Sequence, residues 1–152
     1  HYIVDHHHLG VALLGEGVKS VWVMPLADFS ALPREMFWRV MEFHQWAHPY
    51  NHRGERCSSG AIPPRLTGLQ DDPYRSLAGE VRKAGGYAKD AAPYTEFLWA
   101  QFFRAQFKKA QLRPDPVHGL SPTVVAEAVA IARSSVAQYL PGWWGAMPAR
   151  TP

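Results

Sequence analysis

Four consecutive residues near the start of the sequence, Asp5, His6, His7 and His8, have side chains suited to proton transfer or anion binding. They fall between a short apolar segment and a helical pattern, where unpaired N–H groups and the helix dipole favour an anion such as phosphate. A neutral imidazole there can accept a proton or bind a metal, and Asp5 can orient a ring. We predict that all four residues are catalytic and that His7 and His8 also contact phosphate. The alternative is that Asp5 only caps the helix and the histidines perform no reaction.

A second group of charged residues, Asp71, Asp72 and Arg75, stands at the predicted start of a later helix. Two carboxylates can hold Mg²⁺ with its waters, and Arg75 can bind phosphate through two N–H groups. The alternative is structural: Asp72 caps the helix and Arg75 pairs with Asp71.

A basic stripe is predicted on the following helix, where Gln101, Arg104 and Lys108 share one face, with Lys89 and Glu96 nearby in sequence. Such a stripe suits a nucleic-acid backbone, whose binding depends on contacts between cations and phosphates. A solvated surface is the alternative. The aromatic residues of this helix are expected in the core, and Trp99 is large enough to form the wall of a ligand pocket.

Two weaker candidates remain outside these groups. His44, His48 and His52 are spaced by four, but Pro49 interrupts the helix that would align them as metal ligands. Cys57 is the only cysteine, so a thiol nucleophile would need a distant histidine. The sequence leaves the metal unidentified, and a divalent ion is the expected kind.

The elements that must position these residues begin with a predicted strand at 1–4, a helix at 9–16 and a second strand at 18–26. Because two strands make too little sheet for a stable domain, we expect either further strands upstream of residue 1 or helices that cover a minimal sheet. The rest of the chain predicts helices, starting at caps such as Asp72 and Ser121 with proline next. These helices cover residues 33–47, 73–84, 93–109 and 121–139, and the last is expected to be buried on most sides.

This pattern predicts an α+β fold: a small sheet with a strand-helix-strand opening unit, followed by a mostly helical C-terminal part. We expect one domain over residues 1–152, with the opening unit at 1–30 and the helical part at 31–145. The chain has 152 residues, 47% of them hydrophobic, and a formal charge of +3, which permits a phosphate-bearing partner. One cysteine excludes an internal disulfide framework, and no membrane span or signal peptide is evident. We therefore expect a cytoplasmic protein.

Residues 2–9, followed by Ala12 and Leu13, resemble the phosphate-binding strand-turn-helix of the ParB/sulfiredoxin superfamily, and the subgroup of ParB-like nucleases is the closer match. That superfamily commonly has glycine and arginine where this chain has His6 and Leu9. The resemblance implies a ParB-like fold with upstream strands, recognition of phosphate, nucleotide or DNA, and nuclease activity. Further similar segments are Phe37-Trp38, residues 71–79, Gly85-Gly86-Tyr87 with Lys89, Glu96-Phe97 with Trp99-Ala100, and residues 140–143.

The leading hypothesis is a phosphate-recognising domain that cleaves a phosphoester. His7 or His8 would act as general base and Asp5 would orient it, while Arg75, Lys89 and Arg104 would bind phosphate. One alternative is a non-catalytic module that binds nucleic acid, a nucleotide or a partner protein. Another is a metal-dependent hydrolase acting on a different substrate.

Overall fold

A computed structural model of the chain describes residues 1–109 and 120–145, and within them the regular structure is helical. These residues form two compact units: His1–Asn51 with Glu55–Gln70 form the N-terminal unit, and His52–Gly54 with the described residues from Asp71 onward form the C-terminal unit. The single domain expected over residues 1–152 stays a prediction, and its residues 110–119 and 146–152 lie outside the described part. The α-helices are α1 (His7–Gly15), α2 (Arg34–Phe43), α3 (Pro73–Lys83), α4 (Thr95–Lys109) and α5 (Pro122–Arg133), and short 3-10 helices occur at Ser59–Ala61, Leu66–Gly68 and Ser135–Ala137.

The predicted α+β fold, with its strand-helix-strand opening unit, is wrong. Residues 1–4 and 18–26, which were predicted to be strands, do not form β-structure. Among the described residues, the β-type backbone pairing is a single isolated antiparallel bridge between Tyr50 and Arg56. A run of β-branched or aromatic residues has a local preference for extended backbone. It becomes a strand only when a neighbouring strand pairs with its backbone N–H and C=O groups. Within 18–26 the apolar side chains are exposed instead, and Trp22 is 103% exposed.

The N-terminal unit contains α1 and α2. The α1 helix lies against the 3-10 helix Leu66–Gly68, where a β-carbon added at Gly10 would come within 3.2 Å of the Leu66 side chain. The centroid of the Tyr2 ring lies 5.0 Å from that of the Trp38 ring on α2, so the start of the chain is held by aromatic contacts. The helix predicted at 33–47 ends earlier, at Phe43, because the backbone turns left-handed at Gln45, where φ is 57°.

In the C-terminal unit, α3, α4 and α5 pack around a shared core. Local signals place the helix starts as predicted: the side chains of Asp72 and Ser121 accept N–H groups of the first turn, and proline follows each. The Tyr87 and Trp99 rings stack in the core with centroids 4.1 Å apart. The other buried hydrophobic residues of this core are Leu77, Ala78, Val81, Ala100, Phe102, Phe103, Phe107, Ala128, Ala132, Ala137 and Leu140.

The predicted burial of the last helix on most sides is also wrong. On α5, Ala128 and Ala132 are buried, whereas the other residues of the helix are partly or fully exposed. The small side chains of Ala128 and Ala132 let this face of the helix pack closely against the core. A helix rich in alanine can leave its other faces in contact with solvent. The helix also ends at Arg133, before a 3-10 turn, instead of continuing to Tyr139. No helix in residues 1–109 and 120–145 combines the length and the apolar character needed to cross a membrane.

Candidate functional site

The polar turn 5–8 lies in the N-terminal unit, at the start of α1. Asp5 contacts His6 twice: one carboxylate oxygen accepts the His6 backbone N–H at 2.7 Å, and the other lies 3.3 Å from the His6 ring Nδ1. The hydrogen bond from the His6 N–H is the main cause that lowers the pKa of Asp5, so this side chain is a carboxylate near neutral pH. Both side chains are exposed, at 84% for Asp5 and 73% for His6. The pair is therefore accessible from the solvent.

The backbone at His6 explains this arrangement. Its φ of 62° is left-handed, which bends the chain sharply into α1, and its carbonyl accepts the Gly10 N–H at 2.9 Å. No side chain caps the start of α1, so Asp5 does not cap the helix. The first N–H groups of α1 have no partner within the helix, because a helix leaves those groups unpaired. The turn therefore combines uncapped amides with the carboxylate–imidazole pair.

The three histidines of the turn have different surroundings. His7 Nε2 lies 3.0 Å from the Ile3 carbonyl oxygen, which can only accept, so Nε2 carries the hydrogen in this contact. His8 is exposed. The ring next to Asp5 belongs to His6, whereas the sequence suggested that Asp5 would orient His7 or His8.

A second group of predicted site residues meets in the C-terminal unit. Glu96 on α4 pairs with Arg75 through one carboxylate oxygen and with Arg82 Nε through the other, at 2.8 Å for the latter. These three side chains and Lys89 line a cavity of about 210 Å³. The structure therefore brings Arg75, Lys89 and Glu96 together, and it pairs Arg75 with Glu96 instead of Asp71.

The remaining predicted cation, Arg104, lies in a separate cluster of the same unit. Its Nη2 donates to the Asp72 carboxylate at 2.8 Å, its Nε donates to the Arg53 carbonyl at 2.8 Å, and its guanidinium stacks over Tyr74. Gln101, one helical turn earlier, donates to the Gly54 carbonyl at 2.7 Å. These contacts hold residues 52–54 against α4. The role of Arg104 in binding phosphate stays a prediction.

The other candidates are dispersed. Asp71 accepts the Ser76 hydroxyl at 3.0 Å, so the two carboxylates at the start of α3 have different partners. Trp99 is fully buried and donates to the Pro141 carbonyl. Burial lowers the pKa of His48, and Cys57 carries a free thiol. No group of three or more His, Cys, Asp or Glu side chains suited to a metal occurs in the part of the chain that the structure describes.

Comparison with protein families matches residues 1–105 to the family described as "Putative ParB-like nuclease". The chain belongs to this family. Among solved structures, the crystal structure of protein Atu1540 from Agrobacterium tumefaciens is similar, with 43% sequence identity and a TM-score of 0.84. The match covers 96% of this chain and 73% of that chain. A search of curated proteins found no match. The predicted resemblance to ParB-like nucleases is confirmed.

Apart from Lys108 of the predicted basic stripe, every site residue predicted for this ParB-like chain lies within the matched region, whereas α5 lies beyond it. Arg82 was missed, although it follows Arg75 by seven residues and so shares a face of α3. That spacing was a usable signal. Tyr94, another residue lining the cavity, has a left-handed backbone with φ of 62°. No pattern in the sequence predicted this conformation.

Proposed function

We propose that this ParB-like protein hydrolyses phosphoester bonds of nucleic acid, with His6 as general base and Asp5 as the group that orients it. The observation that supports this proposal is the contact of the Asp5 carboxylate with His6 Nδ1 at 3.3 Å. With its hydrogen on Nδ1, facing the carboxylate, the ring presents the lone pair of Nε2 to solvent. An imidazole in this tautomer can remove a proton from water.

In the proposed reaction, water attacks phosphorus as its proton passes to His6 Nε2, and the bond from phosphorus to the ester oxygen breaks. Asp5 stabilises the imidazolium that forms. The uncapped N–H groups at the start of α1 lie on the same turn and are suited to the negative charge on the phosphoryl oxygens. The exposed His8, as an imidazolium, would return a proton to the leaving oxygen. A polymer can reach this turn because Asp5 and His6 are both exposed.

The test is hydrolysis of bis(p-nitrophenyl) phosphate and of single- and double-stranded DNA, each with Mg²⁺, Mn²⁺ or a chelator. We expect His6→Ala and Asp5→Asn to lower kcat by about 10²-fold or more, the range of general-base catalysis. The matched control is His1→Ala, an exposed histidine near the turn without a role in the reaction. If His6→Ala retains the activity of the His1→Ala variant, His6 is not the base.

A non-catalytic binding module is the second candidate, and the uncapped start of α1 favours it, since free amides bind an anion without any base. In that case no substrate is hydrolysed with any divalent metal, while DNA binding persists in the His6→Ala variant. Filter binding of labelled DNA beside the hydrolysis assay separates the two functions.

A further inference from the structure

The cavity in the C-terminal unit has more cationic than anionic side chains. Arg75, Arg82 and Lys89 face Glu96 and Asp90 in a space of about 210 Å³. The ion-paired side chains are half-buried, at 31% exposed for Arg75, 32% for Arg82 and 24% for Glu96. Solvent screens the charges of these three partly buried groups less than those of exposed groups, and the exposed Lys89 adds a further positive charge at the cavity.

Glu96 fixes the two guanidiniums without using all of their donors. Arg75 contacts it through Nη2 and Arg82 through Nε, and neither guanidinium has another hydrogen bond within residues 1–109 and 120–145. A guanidinium has five N–H groups, so several donors on each arginine stay open to a ligand. The bridging carboxylate attracts both guanidiniums and so offsets the repulsion between them. The donors are therefore preorganised before a ligand arrives.

The other acidic residue has its own partner. One Asp90 carboxylate oxygen accepts the Ala92 N–H at 2.7 Å, which holds the loop before α4. Lys89 is exposed and has no ion pair among the residues that the structure describes, so its ammonium is available. An anion entering the cavity can therefore take Lys89 as a third contact without breaking an existing ion pair.

The cavity wall beside these cations is aromatic. Arg75 stacks over the Phe97 ring with its guanidinium carbon 5.3 Å from the centroid, and the Tyr94 ring lies 5.9 Å from Phe97. The space is smaller than the roughly 300 Å³ at the lower end of sites for drug-sized ligands. It fits a small anionic group and the carbon atoms next to it, with those carbons against the aromatic rings.

We propose that this cavity binds a phosphate dianion, carried by a small phosphomonoester or free in solution, as a site separate from the phosphoester chemistry proposed at residues 5–8. Arg75 and Arg82 bind phosphate oxygens through the donors that Glu96 leaves open, and Lys89 contacts a further oxygen. The oxygens of a phosphate group suffice to accept from both guanidiniums and from Lys89 at once, whereas a carboxylate has only two oxygens for the three cations.

The test is calorimetric titration of the full chain with adenosine 5′-monophosphate, inorganic phosphate and adenosine. We expect the monophosphate to bind and adenosine not to bind. Tighter binding of the monophosphate than of phosphate identifies a phosphomonoester as the ligand, and equal or weaker binding identifies free phosphate. Arg82→Gln should weaken binding about tenfold or more, as expected for loss of a charge-assisted contact.

Two further variants keep the test decisive if Arg82→Gln disturbs the fold. Lys89→Gln breaks no ion pair, so we expect an intact fold and binding about fivefold weaker or more. The matched control is Lys83→Gln on α3, whose ammonium pairs with Glu80 at the surface, and it should bind as the wild type does. The proposal is overturned if adenosine binds as well as its monophosphate, if neither phosphate compound binds at millimolar concentration, or if Lys89→Gln and Lys83→Gln bind equally.

Discussion

Replacing Gly142 by alanine tests how closely the chain packs in the C-terminal unit. This residue has φ of +75°, a left-handed conformation in which a side chain costs about 1–2 kcal/mol. An added β-carbon would overlap the Ala88 carbonyl oxygen and lie 3.1 Å from its carbon. Forcing such an overlap costs about 1–3 kcal/mol. The same shift would strain the hydrogen bond from the Ala88 N–H to the Gly142 carbonyl, which measures 2.8 Å. We expect Gly142→Ala to lower the unfolding free energy of this unit by about 3–5 kcal/mol.

The matched control is Gly85→Ala, because Gly85 also has a positive φ, of +82°, but nothing lies within 4 Å of its added β-carbon. That variant should lose only the conformational part, about 1 kcal/mol. Amide hydrogen exchange of α4 during urea titration reports the unfolding free energy of this unit. Equal losses for the two variants would show that the carbonyl of Ala88 does not approach residue 142 as described.

Three further changes test other contacts by thermal and urea unfolding. Burial, followed by the negative charge of Glu96, raises the pKa of Tyr87. The neutral phenol therefore stabilises the fold fully below its ordinary pKa of about 10, and this stability falls as the pH rises above that value. Tyr87→Phe should remove this alkaline loss and cost about 1–2 kcal/mol at pH 7, because the hydroxyl donates to a buried carbonyl oxygen. Asp72→Ala should cost about 2–4 kcal/mol, since it removes the cap of α3 and the carboxylate partner of Arg104, whereas the exposed Asp71→Ala should stay within about 0.5 kcal/mol. Trp22→Ser should also stay within about 0.5 kcal/mol, and a larger loss would mean that the exposed indole is packed in solution.

The sequence predicted helix starts well because their signals are local. Asp72 and Ser121 each cap a helix whose next residue is proline, and both the side-chain contact and the proline ring act within one turn. Strands have no such local closure. The run Val21-Trp22-Val23 has strong strand preference, but strand formation depends on hydrogen-bond partners elsewhere in the chain.

The candidate site was predictable only in part for a similar reason. The sequence predicted that Asp5 orients His7 or His8, whereas the carboxylate contacts the His6 ring, because the left-handed backbone at His6 decides which imidazole meets Asp5. The structural alternative drawn from the sequence paired Arg75 with Asp71, four residues away, whereas packing of α3 against α4 brings Glu96 to Arg75. Contacts between helices depend on how the helices pack, and composition does not determine that packing.

The two proposed anion sites differ in how their charges are solvated, and this difference bears on their roles. Asp5 and His6 are mostly exposed, so water screens their interaction and the pair adds little to stability. The proposed base is therefore accessible to an extended polymer. Arg75 and Arg82 are about two-thirds buried around Glu96, where charge interactions are stronger but the space admits only a small group. An exposed base suits a reaction on nucleic acid, whereas a cation pair that is about two-thirds buried suits binding of a small phosphate compound. Because the two proposed sites use different residues, we expect loss of one function to leave the other intact.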